Sequence, residues 1–122
     1  MHVFEDVVVK GVDADSSELA QAGICELVFA LNDAPPPEWR ELFKKEAHAR
    51  ANELMEHARF RAGTVVVSVP LVRAAGVVEE LVAIVEDTNA AYRKQYAQYL
   101  EEEAAFAQAL ASIDQYLVAH AR

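Results

Sequence analysis

The chain holds one thiol, Cys25, and four histidines, His2, His48, His57 and His120. A reactive cysteine needs an electropositive, partly open setting. Cys25 stands in the run GICELVFAL, where Glu26 marks the outer face of a strand and leaves Cys25, Leu27, Phe29 and Leu31 on the inner one. A cysteine in that place is packing. Two histidines that share a metal on a helix stand four apart, as in HExxH. His48 and His57 are nine apart, and no HExxH occurs. Glu53 and His57, one helical turn apart, have the spacing of a surface ion pair. Glu79-Glu80, Glu86-Asp87 and Glu101 to Glu103 are neighbouring acids on helices. They point in different directions, whereas acid–base hydrolysis needs two carboxylates facing each other across a cleft. Asp13, Asp15, Ser16, Ser17 and Glu18 make an oxygen-rich loop that lacks the fixed glycine and terminal glutamate of a calcium loop. There is no glycine-rich phosphate loop, GxSxG elbow or CxxC pair. The residues thus offer no catalytic set, cofactor site or metal site, and the balance leans against an enzyme.

Charge excludes further classes. The 122 residues carry a net charge of −9, with 53% apolar and 25% charged side chains, which is the composition of one globular domain. Residues 1–33 hold seven acids and one base. The basic cluster Lys44, Lys45, Arg50, Arg59 and Arg61 is interleaved with Glu46, Glu53 and Glu56. It reads as a solvated helix face and not as the basic stripe that nucleic acid or an anionic membrane requires. A single cysteine forms no internal disulfide. Met1 is followed at once by His2, Glu5 and Asp6, without the charged and apolar regions of a signal peptide. No apolar run approaches the ~20 residues of a membrane span. A cytoplasmic location is expected.

The elements follow from periodicity. Residues 3–12 are valine-rich and read as a first strand, 13–22 as a polar connection, and 23–31 as a second strand. The three prolines at 35–37 keep the chain extended, and Pro37 suits the first position of a helix. The run LNDAPPPEWRELF, residues 31–43, resembles strand-to-helix junctions of small bacterial proteins and implies no activity. A helix over Pro37–Arg61 carries the stripe Trp39, Phe43, Ala47, Ala51, Leu54 and Ala58, and Gly63 stops it. Residues 64–69 are a third strand. Val28, Ala30 and Val66 on the outer faces call for partial cover there too. Gly76, with Glu79 three residues on, can open the last helix. The expected fold is α+β: a three-stranded sheet in β-β-α-β-α order with two helices, the C-terminal one very long and projecting. Strand order is open, and a crossover placing strand one beside strand three is one possibility. The whole chain reads as one domain, 1–122, with 90–122 as a helical extension.

The last helix is the most informative segment. Steps of four and three link Val78, Val82, Val85, Asn89, Tyr92, Tyr96, Tyr99, Glu103, Phe106, Leu110, Ile113 and Leu117, and ten of these twelve are apolar or aromatic. The phase survives two weak points, Asp87-Thr88-Asn89 and Glu101 to Glu103, so one helix of about 45 residues, or ~68 Å, is expected. A second stripe, Val77, Leu81 and Ile84, exists only at the start. The beginning is therefore buried on two sides and the remainder on one. Either a second copy covers the seam, or residues beyond Glu103 fold back over it. The first arrangement is favoured and makes Val85, Tyr92, Tyr96, Tyr99, Phe106, Leu110, Ile113 and Leu117 the interface of a homo-oligomer, most simply a dimer. The corresponding function is a non-catalytic assembly module that also presents an acidic surface to a protein partner. The alternative is a small-molecule binder or small enzyme with an apolar pocket near Phe29, Trp39 and the tyrosines, between sheet and helices or at a dimer seam.

Overall fold

The computed structural model of the chain describes residues 4–121, so His2 and Val3 lie outside the described residues. In chain order the elements are β1 (Val9–Val12), β2 (Glu18–Gln21), β3 (Ile24–Leu31), α1 (Pro37–Ala49), α2 (Glu53–Glu56), β4 (Arg59–Arg61), β5 (Thr64–Pro70), a 3-10 turn (Leu71–Arg73) and α3 (Val77–His120). The fold is α+β, with an antiparallel sheet and a long C-terminal helix. The sheet has five strands, not three, in the order β1-β3-β5-β4, with β2 also paired to β3. The expected third strand, 64–69, is β5, and β1 does not neighbour it. β3 and β5 form the centre, in register from Ile24↔Pro70 to Ala30↔Thr64.

The two unforeseen strands have local causes. β1 and β2 lie along the same edge of β3, one at each end. The Asp13–Ser17 loop separates them, yet still serves the ladder: Asp13 N donates to Val28 O at 2.7 Å, and Val28 N donates to Ser17 Oγ at 2.9 Å. The sequence ELAQ of β2 has no β-branched residue, so only its pairing makes it a strand. Ala22 and Gly23 then turn the chain with φ of 36° and 79°, the two positive values of a tight hairpin turn.

The helix expected over 37–61 ends at Ala49 instead. Ala51 takes φ of 54°, Ala51 N donates to His48 O and Asn52 N donates to Ala47 O, both at 2.9 Å. This is the double reverse bond of a Schellman terminus, made with alanine where glycine is usual. Asn52 Oδ1 accepts from Met55 N and opens α2. Arg59–Arg61 is then released to pair with β5. Ala51 is thus exposed and leaves the expected stripe, while Trp39, Phe43, Ala47 and Ala58 keep their places in the core.

Alternation holds in the central strands. Cys25, Phe29 and Leu31 of β3 join Val65, Val67 and Val69 of β5 on the inner face, packed with α1 and with Val77, Leu81, Ile84 and Val85 of α3. Trp39 is 0% exposed, stacked on Phe43 and meeting the edge of Phe60. On the outer face Val66 is also buried. Arg59 of β4 reaches Glu26 of β3 at 2.7 Å, so that ion pair crosses β5 beside it.

α3 opens directly after Gly76 and runs 44 residues without interruption, so residues beyond Glu103 do not fold back. Thr88 and Asn89, weak helix formers by propensity, are held by bonds of their own. Thr88 Oγ1 donates to Ile84 O at 2.6 Å. Asn89 Oδ1 accepts from Val7 N and from Trp39 Nε1, each at 3.0 Å, and Asn89 Nδ2 donates to Val7 O at 2.9 Å. By compactness the chain divides after Tyr92, the rest of α3 forming a second unit. No helix among the described residues is long and apolar enough to cross a membrane.

Candidate association surface

A surface that binds another protein must leave apolar side chains in water when alone. Every residue from Glu101 to Ala121 is exposed. Among them, Phe106 and Leu110 are 65% and 50% exposed, and Ile113 and Leu117 are similarly open, as is Tyr99 two turns before Phe106. Their spacing of three and four places them in one row on the helix. Glu103 is the one charged position in that row. At the far end the Tyr116 ring stacks on His120 at 4.1 Å, and His120 Nδ1 lies 2.8 Å from Tyr116 O.

The eight residues read as an interface fall in three environments. Val85, 3% exposed, is part of the core cluster. Tyr92 is half-buried, its ring 4.4 Å from that of Phe4, and Tyr96 is half-buried as well. Tyr99, Phe106, Leu110, Ile113 and Leu117 remain exposed in the row.

The other candidates take structural roles. Cys25 Sγ is buried and donates to Val69 O at 3.3 Å. The contact on the α1–α2 turn is His48 Nδ1 with Glu56 Oε1 at 3.0 Å, which the break at Ala51 brings together, and not the expected Glu53 with His57. Asp13 spends its carboxylate within its own loop, on the backbone and hydroxyl of Ser16. Among the described residues, no three His, Cys, Asp or Glu side chains converge on one point as metal ligands would. The basic cluster is partly consumed: Arg50 pairs with Asp87, and Arg59 with Glu26. Lys44 and Arg59 line a shallow depression of about 410 Å³ with Arg40.

Trp39, fully buried, lines no open pocket with Phe29. Trp39 is sealed in the core, its indole nitrogen held by Asn89. Phe29 instead faces an open cleft of about 470 Å³ with Val9, Val12, Leu27, Val78 and Val82, where Lys10 is the charged lining residue.

Asn89 is the residue that local reasoning missed. Its one signal was a polar side chain in a row that is apolar but for Glu103, at a position where a buried amide fixes register in paired helices. No protein-family model matches this chain, and neither a curated protein nor a solved structure does.

Proposed function

We propose that this chain is a non-catalytic assembly module. It self-associates through the second half of its last helix and presents an acidic surface to a protein partner. The exposed row from Tyr99 to Leu117 carries the reading. Side chains of this kind at heptad spacing form the seam of paired helices, and burying each Leu or Ile fully would contribute about 1.5–3 kcal/mol. The net charge of −9 suits a partner with a basic face and disfavours nucleic acid. Light scattering at micromolar concentration tests the assembly. The expected mass is at least twice the 13.5 kDa of one chain. Leu110→Asp, which places a carboxylate in the seam, should return the protein to a single chain with its sheet intact. A wild-type protein that stays at 13.5 kDa at every concentration sinks the proposal.

A second reading is supported by the apolar cleft beside Phe29: a small apolar ligand could be held there, with Lys10 at hand for an acidic group. Filling the cleft with Val82→Trp should abolish binding of an apolar fluorescent dye without altering native mass. Dye binding unchanged by that substitution would remove this reading.

A further inference from the structure

We infer that the cleft beside Phe29 takes a small amphiphile with an apolar body and a single carboxylate head, and that Lys10 selects the head. The inference rests on the second reading above. The cleft exists because the inner face of the sheet is covered unequally. Leu27 and Val67 are ladder partners on that face. Val67 is 0% exposed, whereas Leu27 is only half-buried. The face is thus closed over β5 and partly open towards β1, the edge strand on that side. Val9 and Val12 of β1 both line the opening. They stand three apart, and strict alternation would set them on opposite faces. A β-bulge between Val9 and Gly11 removes the conflict. Val9 then pairs with Leu31 and Val12 with Phe29, both inner-face residues, and Lys10 is the extra residue between them. It too lines the cleft. Re-aiming a side chain is a recurrent use of a bulge on an edge strand.

The chemistry of the lining selects the ligand. At about 470 Å³ the cleft falls in the range of small-molecule sites, about 300–1,000 Å³. Its walls are otherwise apolar, so the body of the ligand must be apolar too. Lys10 is the single base of residues 1–33, is exposed, and has no ion-pair partner among the described residues. A cationic ligand would be repelled by its ammonium, and a neutral one would leave it unused. A doubly charged head would meet one lysine in a molecule of net charge −9, whose field opposes each added negative charge. A single carboxylate draws on the local pair while the wider field is screened over about 8 Å at 0.15 M salt.

Isothermal titration calorimetry of the full chain with decanoate and with decanol, two probes that share an alkyl chain, tests the assignment. Wild-type protein should bind both, and Val82→Trp, which fills the cleft, should bind neither. Val78→Trp, at a more exposed lining position, makes the same block should Val82→Trp fold poorly. Lys10→Met removes the charge and keeps an unbranched side chain. It should weaken decanoate about two- to fivefold, the range of one exposed ion pair, and leave decanol unchanged. Decanoate binding that Lys10→Met leaves unaltered, or decanol binding that falls by the same factor, overturns this inference and leaves the cleft reading standing. Wild-type protein that binds neither probe, or binding that survives the filled cleft, overturns both. Release of single chains by decanoate, seen in light scattering, would show that a second copy fills the cleft and would overturn the inference as well.

Discussion

At the scale of single residues, Asn89 is the most consequential side chain in the sheet-bearing unit. It satisfies both backbone groups of Val7 and the indole of Trp39 at once, so the segment at Val7, α1 and α3 share one polar anchor. Asn89→Leu fills similar space but leaves these buried donors and acceptor unpaired, and should cost about 2–5 kcal/mol in urea denaturation. Thr88→Val is the internal contrast. The Thr88 hydroxyl bonds a carbonyl of its own helix, so the isosteric change should cost under about 1 kcal/mol. Equal effects of the two substitutions would show that the anchor contributes nothing special. Strain offers a second residue-scale prediction. Ala22, Ala51 and Ala62 all take positive φ, where a Cβ is unfavourable. Replacing each by glycine should raise stability by about 0.5–1 kcal/mol, read as a higher melting temperature. A lower one would mean that the unfolded chain gains more from glycine than the turn does. None of these three positions was legible beforehand, because alanine is the residue least associated with turns and its composition signal says helix.

At the scale of elements, legibility tracked periodicity. The inner faces of β3 and β5, the Pro37 helix start and the length of α3 follow from steps of two or of three and four that run through many residues. The break at Ala51 and the pairing of Glu18–Gln21 do not, because each is decided by hydrogen bonds to residues whose nearness only the fold creates. The exposed row on α3 was legible for the same reason as the core: both are apolar stripes, and sequence alone does not say which is covered. Val85 was assigned with the seam and lies in the core, since the two stripes coincide over the first turns of the helix. The residues from Glu101 to Ala121 are exposed, and most helical stability in proteins comes from packing an apolar face. Their order should therefore depend on association. Hydrogen exchange at residues 100–118 is expected to quicken on dilution and in Leu110→Asp, while amides of β3 and β5 stay protected. Uniform exchange at all concentrations would mean that the helix holds by its alanine content alone.

At the scale of the whole molecule, charge opposes what the seam promotes. Residues 1–92 hold sixteen acids and eight bases, and the remainder four acids and three bases. The pairing proposed above would bring together two molecules of net charge −9. Against this, an exposed ion pair between copies is worth only about 0–1 kcal/mol. Apolar contact, which salt does not screen, supplies the main attraction. Repulsion between the many like charges, in contrast, acts over a Debye length that shrinks from about 30 Å at 0.01 M to about 8 Å at 0.15 M salt. Screening removes more repulsion than attraction, so the dimer should tighten as salt rises. Sedimentation equilibrium in 10 mM and 300 mM sodium chloride should show the dissociation constant falling several-fold at the higher concentration. Charge reversal beside the row, Glu102→Lys, should flatten that dependence, because the substitution removes a like charge from each copy. A dimer that weakens with salt would mean that ion pairs hold the copies together, and the exposed apolar row would then lose its place as the driving surface.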